Sequence, residues 1–196
     1  MGIHGSAVVD APVDEVFDWF SRPGAFARLQ APWLPMRLRS QATSLADGVT
    51  VIDLPGGLQW RAAHDPEGYL PGRRFVDEVS ADGVRSLPAG LFPWRHVHGF
   101  EPVDAHRTRV TDEVETPVPE RLLAQVIAFR YRRLAGDLAA HRRAADAGLG
   151  PSTVAVTGAS GLVGTDLVQA VPLVLAAAIS HVIAQGINWS VLIPLI

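Results

Sequence analysis

Residues 92–116 read FPWRHVHGFEPVDAHRTRVTDEVET. Two stretches of it, 92–101 and 107–116, alternate with a period of two, the signature of a strand with one buried face. In the first, parity groups Phe92, Trp94, His96, His98 and Phe100 on one face and Pro93, Arg95, Val97 and Gly99 on the other. Three aromatics assign the first set to the interior. In the second stretch Val110, Asp112 and Val114 share the inner face.

The same period extends upstream. Residues 36–43, 49–54, 58–64 and 73–80 read as strands, separated by turn signals such as Ala46-Asp47-Gly48, Pro55-Gly56-Gly57, Pro66-Glu67-Gly68 and Asp82-Gly83. Such short connections imply antiparallel hairpins. Inner sets here are Trp60, Ala62 and His64, and Phe75, Asp77 and Val79. Before this block, residues 3–10 predict a strand. Asp10 is then an N-cap ahead of Ala11-Pro12, and Val13, Val16, Phe17 and Phe20 fall at helical spacing. Ser21-Arg22-Pro23-Gly24 ends that helix, and residues 24–30 form a second short one. After the block, Pro119-Glu120 opens a long helix to Asp146 with Leu123, Ile127, Tyr131, Leu134 and Leu138 on one face. Arg130, Arg132, Arg133, Arg142 and Arg143 occupy much of the rest and read as a solvated surface, with an anionic membrane or partner surface as the alternative. The fold class is α+β: a curved antiparallel sheet wrapped around a long C-terminal helix, with a cavity between them.

An antiparallel sheet of this parity turns Asp77, His96, His98 and Asp112 toward one cavity. Imidazoles and carboxylates facing an apolar interior must find partners or change charge state. Three readings stand: a structural hydrogen-bond network, polar contacts that orient a ligand, or acid-base catalysis by these four residues. His96-x-His98 also has the form of a metal half-site, with His64, Asp77 or Asp112 as further ligands, but no metal is expected. The ligand-lining set is Trp60, Phe75, Trp94, His96, His98, Phe100, Asp112 and Tyr131.

Composition narrows the function. The chain has 196 residues, 48% hydrophobic and 19% charged, with net charge -3, so it has a core and no electrostatic case for nucleic acid. Cysteine is absent and all 17 basic residues are Arg, which removes disulfides, thiolate metal sites, Schiff bases and the Tyr-x-x-x-Lys pair of short-chain dehydrogenases. The N-terminus has no secretory pattern. Gly2 and Ser6 match a myristoylation signal, but the segment reads better as a strand. The expected location is the cytoplasm.

The element order resembles the helix-grip fold of the START and pollen-allergen-like superfamily, SRPBCC, over residues 3–146. FVDEV at 75–79, WRHVHGFEP at 94–102 and TRVTDEVE at 108–115 are similar to segments of a subgroup in which such a domain precedes an NAD-dependent epimerase-like domain. RSLPAGL at 85–91 departs from the turn expected there. The resemblance implies a cavity for a small hydrophobic or lipid-like ligand. Residues 1–148 are the expected domain, 149–152 a linker, and 153–196 a truncated Rossmann start and apolar tail.

Within that last part, TGASGLVG at 157–164 follows a strand at 153–156 and has the spacing of a dinucleotide phosphate loop through Gly158, Gly161 and Gly164. No charged residue follows Asp166 to select a ribose, and the chain has no Lys. The loop is therefore read as vestigial, with no cofactor. The tail is long and apolar enough to be a membrane anchor, though Pro172, Gln185, Asn188 and Pro194 interrupt it; a non-native extension is the other reading. Membrane contact is expected only through this tail. The leading function is binding of a small hydrophobic ligand, without redox activity. The alternatives are a polyketide cyclase or aromatase-like enzyme using a cavity His-Asp pair, and the remnant of an NAD(P)-dependent epimerase.

Overall fold

A computed structural model describes residues 2–87 and 92–149, together with the backbone of 152–157, 180–184 and 188–195. Strand β1 (Gly2–Val9) leads into helices α1 (Val13–Ser21) and α2 (Ala25–Leu29). Six strands follow: β2 (Arg37–Ser40), β3 (Val49–Asp53), β4 (Gln59–His64), β5 (Arg74–Val79), β6 (Arg95–Asp104) and β7 (Arg107–Glu115). Helix α3 (Glu120–Asp146) follows them. These seven strands form one antiparallel sheet in the order β1-β7-β6-β5-β4-β3-β2. The sheet is curved and unclosed, and α3 packs against it: the helix-grip arrangement.

Sequence and structure differ at several element ends, among them β2, which stops at Ser40, and β6, which runs on to Asp104; two of the differences have a plain cause in proline. The α1 N-cap position is held by Pro12, with no side-chain cap, and not by Asp10. Pro12 carries no amide hydrogen and its carbonyl accepts from Val16 at 3.1 Å, so the fixed proline φ sets the first turn. Strand β6 begins at Arg95 and not at residue 92, because Pro93 cannot donate to a ladder.

Inner-face parity follows the alternation. In β6, His96, His98 and Phe100 are buried while Arg95, Val97 and Gly99 are half-buried; in β7, Thr108, Val110, Asp112 and Val114 are buried. Arg95 reaches across the outer face to Glu78, 2.9 Å away. A slip of one residue would have inverted every one of these assignments.

One core cluster fills one end of the grip. Phe100, fully buried, meets Phe20 and Phe17 edge-on at 5.0 and 5.4 Å, and Leu134 and Leu138 of α3 close over them. A smaller cluster of Ile3, Val114 and Ile127 lies at the other end. Here α3 crosses β1 so closely that a Cβ on Gly5 would stand 2.7 Å from Ile127 Cγ2 and 3.0 Å from the Tyr131 hydroxyl, so glycine is required. The Gly2–Ser6 segment is thus part of the sheet.

A second, three-stranded antiparallel sheet has the order β8-β10-β9, with β8 (Ser152–Thr157), β9 (Ser180–Ala184) and β10 (Asn188–Leu195). The strand read at 153–156 falls within β8. Gly158, Gly161 and Gly164 lie outside the described residues. Among the described residues no helix is long and apolar enough to cross a membrane.

Candidate functional site

A cavity of about 440 Å³ lies between the sheet, α2 and α3, with a mainly apolar wall. That volume falls within the range of small-molecule sites. Trp60, Phe75 and Trp94 line it, as do Ala25, Phe26 and Leu29 of α2. Its ionisable groups are His64, Asp77, His96, His98 and Arg130.

These groups meet because strand register brings them together. Asp77 of β5 pairs with His96 of β6, and His98 pairs with Asp112 of β7. The two imidazoles lie face to face, ring centroids 3.7 Å apart and 36° from parallel, between the two carboxylates. His96 Nε2 and Asp112 Oδ1 are 2.7 Å apart, and His98 Nε2 and Asp77 Oδ2 are 3.1 Å apart. On the opposite edges, His98 Nδ1 stands 3.1 Å from Asp112 Oδ1, without hydrogen-bonding alignment, and His96 Nδ1 stands 3.9 Å from Asp77 Oδ2. Trp94 Nε1 donates to the other oxygen of Asp77 at 3.3 Å. Phe75 stacks on His98 with 4.1 Å between centroids, fixing that ring from the side.

Burial and pairing divide the four groups. Burial alone would raise the Asp112 carboxyl; contacts from His96 and His98 and the Arg130 charge outweigh it and hold the group well below the usual carboxylate range. Asp77 is lowered in the same way, burial being outweighed chiefly by His98. The two histidines part company. Burial, then the neighbouring His98, pushes His96 down. His98 is raised, because contacts with both Asp112 and Asp77 exceed its burial cost. His64, at the end of β4, is lowered by burial.

All four catalytic candidates, Asp77, His96, His98 and Asp112, are therefore in one cluster. Of the expected lining residues, Trp60, Phe75, Trp94, His96 and His98 face the cavity. Phe100, Asp112 and Tyr131 do not. Phe100 has the right parity but sits further along β6, where α1 covers it. Asp112 lies behind the histidines, which take up its oxygen. Tyr131 is turned toward β1, and burial, then the Asp112 charge, raises its hydroxyl.

Arg130 is the residue the sequence reading misplaced. It belongs to the cavity wall and not to a solvated face: its side chain is 16% exposed and its Nη2 is 3.7 Å from Asp112 Oδ1. The available signal was spacing, since 130 lies three residues after Ile127 and four before Leu134, on the apolar stripe itself. Also unforeseen is a buried ion-pair group away from the cavity wall, in which Asp137 of α3 holds Arg28 of α2 at 2.7 Å and Arg22 at 3.3 Å.

Solved structures share this architecture. The nucleoside-diphosphate sugar epimerase from Corynebacterium glutamicum is 35% identical, the match covering 86% of this chain and 36% of that one, with a TM-score of 0.72. The chain thus spans about a third of that protein's length. A norcoclaurine synthase point mutant from Thalictrum flavum matches at 14% identity over 72% of this chain and 96% of its own, TM-score 0.53. The Zhui aromatase/cyclase from Streptomyces sp. R1128 matches at 16% identity over 74% and 97%, TM-score 0.51. These last two show the fold alone. No protein-family model and no curated protein matches the chain.

Proposed function

We propose that the cavity is an active site for a small apolar substrate bearing a carbonyl group, in which His98 and Asp77 move a proton at the carbon beside that carbonyl. The observation that carries this reading is the placement of the polar groups. In a mainly apolar cavity the sheet wall carries Asp77, His96 and His98, with Asp112 behind them. An imidazole held between carboxylates, with one edge reachable by a ligand, has the arrangement of a positioned acid-base group. Arg130 adds a positive charge on the helix side of the same pocket, suited to the charge that develops on a carbonyl oxygen. Two helix-grip neighbours, an aromatase/cyclase and a norcoclaurine synthase, are enzymes by name, which favours a catalytic reading of a cavity in this fold without naming its reaction.

Simple binding of an apolar ligand is the second reading. It is favoured by the pairing of His96 with Asp112 and of His98 with Asp77, in which the polar groups already partner one another. The activity of the longer sugar epimerase is not carried over, since the chain spans 36% of that protein.

Deuterium incorporation separates the two readings. Chelator-treated protein is incubated in D₂O with a panel of aryl ketones and 1,3-diketones, and exchange is followed by NMR. Catalysed exchange at least about 100-fold above buffer is expected, lost in His98→Ala and kept in Arg95→Ala, whose side chain lies on the outer face. Binding of panel members with exchange at the buffer rate would refute the catalytic reading and leave the carrier.

A further inference from the structure

The structure assigns the cavity-facing side of the histidine pair as a site for one divalent transition-metal ion, Zn²⁺ by ligand chemistry, held by His96 Nδ1, His98 Nε2 and Asp77 Oδ2. This goes beyond the proton-transfer reading and does not rest on it, since holding a metal requires no catalysis.

The donor atoms lie close to a coordination set. One donor atom from each of the three residues lies within 4.8 Å of the other two. The His98–Asp77 separation is 3.1 Å and the His96–Asp77 separation 3.9 Å. Donors about 2.0–2.2 Å from a tetrahedral zinc stand roughly 3.4 Å apart, so a movement of about 1 Å at His96 closes the set. Two imidazole nitrogens and one carboxylate oxygen suit zinc, and the cavity supplies an open fourth position.

The atoms behind the donors match what a metal site needs. Ligating imidazoles are oriented by a partner on the other ring nitrogen, and ligating carboxylates by a hydrogen bond to the other oxygen. Here His96 Nε2 has that partner in Asp112 Oδ1 at 2.7 Å, and His98 Nδ1 stands 3.1 Å from the same oxygen, within reach of it but not aligned on it. The remaining oxygen of Asp77 accepts from Trp94 Nε1. Asp77 and the histidines line the cavity, whereas Asp112 does not, so the two carboxylates already occupy the positions of ligand and supporting residue. Arg130, 3.7 Å from Asp112, offsets the charge of the rear carboxylate. All three donors stand on adjacent strands in register, Asp77 opposite His96, so the backbone holds their spacing.

The test uses the full chain, stripped with a chelator and titrated with ZnCl₂ by calorimetry and with CoCl₂ by visible absorption. One ion per chain is expected, with Kd below about 1 μM. His96→Ala, His98→Ala and Asp77→Asn should each weaken binding by at least about 100-fold, and Asp112→Asn by roughly 10–100-fold. A triple variant removing His4, His106 and His181 should bind as the wild type does. Zinc binding weaker than about 10 μM overturns the assignment, as does binding lost in the triple variant and kept in the wall variants. Should a wall variant fail to fold by circular dichroism, the wild-type Co²⁺ spectrum decides: intense four-coordinate bands support the site, weak six-coordinate bands refute it. Metal binding with no deuterium exchange would refute the proton-transfer reading alone; exchange without metal binding would refute this one alone.

Discussion

Replacing Asp137 by Asn removes the carboxylate that two buried guanidiniums face. Arg28 contacts it through Nε at 3.1 Å and Nη2 at 2.7 Å, and Arg22 at 3.3 Å; the side chains are 6% and 9% exposed. Arg22 also lies over the Trp19 ring, 4.4 Å from its centroid, and is pushed down to about 10, mainly by burial, against the opposing pull of Asp137. Removing one partner of such a buried pair costs about 3–5 kcal/mol. Asn keeps one acceptor oxygen, so the lower end, about 3 kcal/mol, is expected. For a domain of this size that is a fall in Tm of roughly 6–12 °C. Urea titration at pH 7, followed by circular dichroism, measures it. The apolar double variant Arg28→Met/Asp137→Leu should recover part of the loss, because it also removes one of the charges needing solvation. The effect should reach the cavity, since Ala25, Phe26 and Leu29 of the same short helix line it. A loss below about 1 kcal/mol would refute the reasoning: the carboxylate would then contribute no more than an exposed pair.

Three further outcomes follow from the packing. Phe100→Ala should cost about 3–5 kcal/mol in urea denaturation, because its ring is fully buried among Phe17, Phe20 and Phe75; a cost near zero would place Phe100 outside the core. His141 is lowered by burial and then by the Arg22 charge, so Arg22→Gln should raise its titration midpoint in NMR. With a folded value below the unfolded one of about 6.5, this group favours unfolding increasingly as pH falls below that point; a midpoint unmoved by Arg22→Gln contradicts the charge contribution. A protein ending at Gly148 should melt cooperatively, since β1 to β7 and α3 form a complete sheet-and-helix unit; a broad melt would contradict the proposed boundary.

Strand parity carried most of what the sequence revealed. It requires only that one face be buried, and a period of two leaves no freedom once that face is chosen. That is why parity alone groups Asp77, His96, His98 and Asp112 on one inner face. Parity does not report depth along a strand. His98 and Phe100 share a face, yet one borders the cavity and the other lies under α1, because where the helices cross the sheet is set by contacts distant in sequence. Helical charge was harder to read for another reason. Arg130 and Asp137 fall on the stripe of Ile127, Leu134 and Leu138, and both are held by groups from other elements: Asp112 of β7, and Arg28 of α2 with Arg22 beyond it. A charged residue on an apolar stripe announces a partner but does not name it.

The four-residue cluster is an unfavourable way to fill a core. One buried and one half-buried carboxylate and two buried imidazoles lose hydration that their mutual contacts restore only in part, and apolar side chains of similar size would serve stability as well or better. The fold itself shows that solution on either side, with Phe75 and Phe100 beyond His98 and Trp94 edge-on to His96 at the other end. The cluster interrupts an aromatic row on central strands, where geometry is most rigid, and it does so where the sheet borders an apolar cavity. Local departures of this kind from good core chemistry concentrate at functional sites. A network that served only the fold would have no need to keep its Asp77 edge, with His96 Nδ1 and His98 Nε2, against the cavity while its Asp112 edge stays sealed. The asymmetry between the two carboxylates, one facing the cavity and one behind, is therefore the feature that any functional account of this protein has to explain.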